Sequence, residues 1–243
     1  MFRLFMSALI AAGLSACVPS LYSPNQLQTP MLREAGEFQA TAGNGNVTAA
    51  VAVTDNVHLH GGAYYDQADI TGPNQTRQNS QKWLAEAGLG VGGGIGLEDL
   101  RWELLAGGGY GRSWAYTIDD PEGRAFDSRL ARGYLQPNLG FVTPFFELIG
   151  SARLSGVRFL DFSASGFGNL TWGLTEENVS ARTWLFLEPS VTVKLGYRWI
   201  KLYAQPVWTL KLNPEEVRHR PFNLYVGVSI DLAKWHGDWK FGG

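Results

Sequence analysis

The feature that most constrains this chain is a period of two. From Gly36 onward, apolar residues alternate with polar or small ones, the pattern of strands with two unlike faces. In 222–232, Leu224, Val226, Val228, Ile230 and Leu232 share one face, and Tyr225, Gly227, Ser229 and Asp231 share the other. In 199–212, Ile200, Leu202, Ala204, Pro206, Trp208 and Leu210 oppose Lys201, Tyr203, Gln205 and Lys211. In 187–195, Leu187, Val191, Val193 and Leu195 oppose Glu188, Ser190, Thr192 and Lys194. The pattern predicts ten strands: 36–43, 46–53, 57–66, 81–95, 101–117, 131–142, 145–164, 179–197, 199–212 and 222–232. Thirty glycines with nine Trp, nine Tyr and thirteen Phe suit many curved strands. No stretch after the N-terminus approaches the ~20 apolar residues of a membrane helix.

The predicted connections alternate in length. Thr54-Asp55-Asn56, Leu97 to Leu100, Thr143-Pro144 and Arg198-Trp199 are short, whereas 67–80, 118–130, 165–178 and 213–221 are long. Membrane barrels have short turns at one rim and long loops at the other. The turn at Asn44-Gly45-Asn46 is out of pattern, being tight on the long-loop side. Trp114, Tyr116, Trp172, Trp184, Tyr197, Trp199, Tyr64 and Tyr65 lie near predicted strand ends, where membrane barrels carry aromatic girdles. In hydrocarbon a sheet must close, because every backbone polar group needs a partner. The expected fold is therefore an all-β, closed antiparallel transmembrane β-barrel of about ten strands, with eight as the alternative. An even strand count predicts both termini on the short-turn side. Pro137, Pro189 and Pro206 remove ladder donors, so bulges or unpaired positions are expected there.

The N-terminus reads as a targeting segment. Met1-Phe2-Arg3 is a short basic start, Leu4 to Leu14 is an apolar run, and Leu14-Ser15-Ala16-Cys17 matches a lipobox. The expected organisation is a lipoprotein signal peptide at 1–16, an acylated tether at 17–35, a barrel at 36–232 and a tail at 233–243. Acylation of Cys17, the single cysteine, would anchor the chain, since each buried CH₂ contributes about 0.8 kcal/mol. Pro19, Pro24 and Pro30 argue against helix or central strand in the tether. The residues after Cys17, Val-Pro-Ser-Leu, lack an acidic export run and point to the periplasmic leaflet.

The face opposite the apolar one carries the candidate site residues. Glu37, His58, His60, Glu86, Glu103, Glu147, Arg153, Glu188, Lys194, Lys201 and Asp231, with Arg132, are expected to line a polar lumen. Lys or Arg facing lipid costs about 2–4 kcal/mol at the midplane, so inward placement is the economical one. A ten-stranded interior is barely wider than its side chains, which predicts an ion-pair network filling it rather than an aqueous bore. His58 and His60 share a face and could supply two metal ligands or an acid/base pair with a glutamate, but no third ligand is identifiable. No G-x-S-x-G elbow is present, and no catalytic residue, metal or cofactor is assigned. Gly88-x-Gly90-x-x-Gly93 matches a dinucleotide fingerprint only formally, because it lies within a strand pattern. Glycines 88–96 and 107–111 are better read as relieving curvature or making room for large lumen side chains. His219 between Arg218 and Arg220 could meet lipopolysaccharide phosphates, although a solvated basic loop is the simpler reading.

Several segments carry a resemblance. "SPNQLQTPMLREAGEFQATAG", "AVAVTDNVHLHGGAYY", "YLQPNLGF", "FLEPSVTVKLGYRWIKLYAQ" and "NLYVGVSIDL", in this order, resemble small barrel lipoproteins of Bacteroidota, an uncharacterised family. The resemblance implies fold and outer-membrane location and supplies no activity. Tyr225-x-Gly227-x-x-Ile230-x-Leu232 fits the β-signal read by the barrel-assembly machinery, although an eleven-residue tail follows. The net charge of −2 offers no basic footprint for nucleic acid. The expected function is a non-enzymatic structural, binding or accessory role in the envelope. Its partners would be outer-membrane lipids, lipopolysaccharide, the assembly machinery and an envelope protein met by the outer loops. The alternatives are a lipid A-modifying barrel enzyme and a narrow channel or carrier.

Overall fold

The structure, a computed structural model, describes residues 20–71, 77–118, 125–165, 179–197, 199–215 and 217–231. The predicted signal peptide, Cys17, Trp172, Leu232 and the tail 233–243 lie outside the described residues, as do parts of the four long connections.

Eleven strands follow in chain order: β1 (Phe38–Gly43), β2 (Asn46–Ala52), β3 (Val57–Thr71), β4 (Arg77–Ile95), β5 (Leu97–Thr117), β6 (Ala125–Val142), β7 (Phe146–Ser165), β8 (Thr183–Tyr197), β9 (Ile200–Trp208), β10 (Leu210–Lys211) and β11 (Phe222–Asp231). Each sequential neighbour from β1 to β9 pairs antiparallel. β9 then pairs with β11, and β11 pairs with β1 through Gln39↔Asp231 to Ala42↔Val228. The result is a closed antiparallel ten-strand barrel, with β10 outside the ring. β10 meets β8 at Leu210↔Leu187, in the register that β9 holds at Ser190↔Val207, and so prolongs the β9 edge past Thr209.

The strands on the long-loop side extend further than their sequence pattern predicts. β3 and β4 remain paired to Thr71↔Arg77, and β6 begins at Ala125, so much of 67–80 and 125–130 is ladder. In β3 and β4 these residues are mostly polar on both faces, which hides a strand from a periodicity reading, and in β6 the inward Phe126 and Leu130 are separated by Ser128. The turn predicted at 97–100 shrinks to Gly96 (φ +63°), with Ile95 opposite Leu97 and a register shift beside it. Asn44 and Gly45 both have positive φ, the two-residue hairpin turn that joins Gly43 to Asn46. A Cβ on Gly45 would fall 2.0 Å from the Tyr65 carbonyl oxygen.

The prolines interrupt single ladders without bulging. Pro137 pairs with Leu104 of β5, and the β6–β7 pairing skips it. Pro206 pairs with Leu224 of β11, and the β8–β9 pairing skips it. Pro189 pairs with Ala152 of β7 and lies just outside the β8–β9 pairs. Each proline keeps one neighbour and gives up donor pairing toward the other.

The outward face is apolar along its middle: Leu104, Leu135, Leu139, Leu148, Leu154, Leu185, Val191, Leu202, Leu224 and Val226 are all exposed. Aromatics stand toward both ends of this face. Tyr65, Trp83 and Tyr110 lie toward the long-loop side, with Trp208 beside Phe222, and Trp102, Phe145 and Tyr197 lie toward the turns. Tyr64 and Trp184, predicted as belt residues, instead point inward and are buried. They join Leu84, Leu130, Phe159, Phe162, Phe186 and Tyr225 in an apolar cluster. The expected polar lumen therefore also holds an apolar cluster toward its loop end, beside buried polar residues such as Lys82, Ser113 and Ser128.

The space inside is set by inward glycines. His60, Gly88, Gly107 and Tyr134 occupy one cross-strand row on β3, β4, β5 and β6. With no side chain on the two central positions, His60 Nε2 reaches the Tyr134 hydroxyl at 2.8 Å. A Cβ on Gly107 would come within 2.6 Å of that hydroxyl, and one on Gly90 within 2.0 Å of His58 Nε2. Gly90→Val should therefore lower stability by about 1–3 kcal/mol through overpacking. A His58→Ala background should relieve most of that loss, and Gly133→Ala, where no atom lies within 4 Å of the added carbon, should change stability little. Denaturant unfolding of the three variants checks this.

Candidate functional site

The lumen is occupied by the chain's own N-terminal segment. Residues 21–32, expected as a tether without helix or central strand, are all buried. The segment runs the length of the barrel. At the loop end the Leu21 amide donates to the Arg218 carbonyl (3.0 Å), the Arg220 amide donates to the Tyr22 carbonyl (2.9 Å), and Lys82 Nζ donates to the Ser20 and Ser23 hydroxyls. At the turn end Arg101 donates to the Leu32 carbonyl (2.8 Å), Arg33 approaches Asp99 (3.5 Å), and the Ala35 amide donates to Asp55 (2.9 Å).

Between these ends the wall reads the segment's main chain. Tyr225 donates to the Pro24 carbonyl, Arg153 to that of Asn25 (3.0 Å) and Gln205 to that of Leu27 (3.0 Å). Gln136 (2.5 Å) and Asn138 (3.0 Å) share the Gln28 carbonyl, and Lys194 donates to that of Thr29 (2.8 Å). The Leu27 amide in turn donates to Gln205 Oε1 (2.9 Å). An extended segment with no neighbouring strand must find partners for buried backbone groups, and long wall side chains supply them. Arg153 and Lys194 are among the expected lumen residues, whereas Gln136, Asn138, Gln205 and Tyr225 were not singled out, because a single strand's alternation shows which side chains point inward, not what they meet.

The predicted lumen residues all lie on the inner face and are buried. Arg153 and Glu188, opposite each other on β7 and β8, pair at 2.5 Å. Glu188 also accepts from Tyr22 (2.6 Å), whose ring stacks on Phe186. Glu86 pairs with Arg132 across the inward Gly109 and accepts from Gln28. Arg153 stands 3.9 Å from Glu86, so the two pairs form one buried network. A second group sits near the turns, where Glu147 lies between Lys194 (3.0 Å) and Lys201 (2.5 Å). Glu37 accepts from the Arg33 amide (2.5 Å), and the Asp231 amide donates to the Trp199 carbonyl (2.8 Å), continuing the β9–β11 pairing.

The histidines do not converge with further ligands. His58 Nε2 is 3.9 Å from Glu103, and His60 bonds Tyr134. Glu103 also accepts from Asn138 (3.1 Å), which ties it to the Gln28 anchor point. Among the described residues no group of three or more His, Cys, Asp or Glu is arranged to hold a metal ion. The Arg218-His219-Arg220 triplet is not a free basic loop. Its backbone clamps Leu21 and Tyr22, the His219 ring lies 5.6 Å from Phe186, and Arg220 reaches Asp66 (3.7 Å).

These bonds make the filled lumen a cross-brace between opposite walls. Arg153→Met leaves Glu188 buried with its cation removed, which should cost about 3–5 kcal/mol. Adding Glu188→Gln should recover part of the loss, and the Leu27 amide should exchange slowly in the wild type but faster in Arg153→Met. Denaturant unfolding and amide hydrogen exchange measure these effects.

Comparison with models of known protein families matches none of them, and comparison with curated proteins finds no relative.

Proposed function

We propose that the chain is an outer-membrane β-barrel lipoprotein with a non-enzymatic structural, binding or accessory role in the cell envelope. The observation that carries this reading is the inversion of the barrel: exposed apolar residues ring its outside, while buried ion pairs and the N-terminal segment fill its inside. A ring satisfies its own backbone and is one of two shapes that can stand in hydrocarbon. The outward apolar run on β11, Phe222 to Ile230, matches the roughly 9–11 tilted residues that cross a bilayer core. Aromatics toward both ends of that face fit the headgroup levels. Beyond the loop-side aromatics the outer wall turns charged, with Arg112 paired to Asp127 and Arg129 to Asp161. Such residues are placed to meet lipopolysaccharide above the hydrocarbon.

The role follows from what fills the lumen. A bore threaded by its own chain and braced across its width offers no open path, which favours a scaffold over a channel. The long connections, held on a rigid ring, are the surface for an envelope partner. On this reading Cys17 carries the acyl chains and the barrel-assembly machinery inserts the strands.

Refolded protein should migrate differently in gels before and after boiling, and should show no steady conductance in planar bilayers. The lipid A mass spectrum should be the same with and without the gene. A compact monomer that dissolves without detergent would overturn the membrane reading. Steady conductance would establish a channel instead, and an altered lipid A spectrum an enzyme.

A further inference from the structure

The direction in which the N-terminal segment crosses the lumen carries a consequence for the anchor. The prediction from strand count places both chain ends at the short turns, and the ring's own ends, Phe38 and Asp231, do lie there. The segment before Phe38 reverses this. Read backward, it passes Asp55, Asp99, Arg101 and Lys194 toward the turns, Asn138 and Gln205 through the middle, then Tyr225, Lys82 and Arg218 at the loop end. We propose that the mature N-terminus leaves the barrel at the long-loop end. The acyl chains on Cys17 then enter the outer leaflet, on the side that carries the long connections. This rests on the outer-membrane lipoprotein reading above and adds the leaflet to it.

Magnitudes decide the point. Three peptide steps separate Cys17 from Ser20, a reach of about 11 Å at full extension. Crossing the hydrocarbon core would need about 30 Å. An acyl group attached at Cys17 therefore cannot return to the turn-side leaflet while Ser20 and Leu21 are held by Lys82 and Arg218. Nor can the acyl chains be drawn through afterwards, because Tyr22, Asn25, Leu27 and Gln28 are packed against the wall with almost no exposed surface. The β1–β11 seam must close around a segment already in place.

The test uses the full-length protein in its cells, with single substitutions Ser20→Cys, Pro214→Cys in the 213–221 connection and Asn56→Cys in a short turn. The thiol of Cys17 is consumed by acylation, so a membrane-impermeant maleimide reads only the new cysteine. Positions 20 and 214 should label equally before and after permeabilisation, and position 56 only after it. An epitope inserted between Pro19 and Ser20 repeats the measurement where the thiol is too crowded to react. If position 20 or its epitope behaves like position 56 while position 214 labels on intact cells, the proposal is overturned and the outer-membrane reading stands. If positions 214 and 56 behave alike, the membrane reading itself fails and the proposal with it.

Discussion

The pairing of β1 with β11 is the interaction on which the remaining structure depends. Without the ladder from Gln39↔Asp231 to Ala42↔Val228, ten strands would form an open sheet with two bare edges. With it, every strand has two neighbours and the inner face becomes a closed compartment. Only a closed compartment can bury Arg153, Glu188, Lys194 and Glu86 together, because each charge then has a partner arriving from another strand. The energetic sign of such burial depends on the pairing: a buried ion costs several kcal/mol unless its partners are held in place. Closure holds them.

The compartment is not filled from its walls alone. Inward glycines on β4 and β5 open space on one side, and long side chains from the opposite wall span it. The N-terminal segment occupies what remains. Its extended backbone needs the same partners that a missing central strand would need, and Gln136, Asn138, Lys194, Gln205 and Tyr225 take that part. Arg153, Lys194 and Asn138 both bond charged lumen groups and hold the segment. Arg153 bonds both Glu188 and the Asn25 carbonyl, so barrel wall and filling are one cooperative unit.

Where alternation was strong, the elements were legible. β8, β9 and β11 follow the predicted faces residue by residue, because apolar-out and polar-in is the same rule in sequence and in space. Tyr64 and Trp184 show the limit of this. Their place near strand ends suggested a girdle, but parity puts them on the inner face, in the buried apolar cluster. The polar extensions of β3 and β4 were invisible for a related reason, since neither face there has a sustained apolar contrast to betray a period.

Two things were determined by the sequence itself: the two-faced strands, and the inward set that includes His58, His60, Glu103 and Glu147. Both are local properties, set by the side chain's direction on a pleated backbone. The tertiary structure alone decided which charge meets which, since Glu86 finds Arg132 across two strand boundaries and a glycine. It also decided where residues 20–37 go. A proline-broken polar segment carries no period and no preferred face, so its path is fixed by backbone groups seeking partners inside a ring that must already exist.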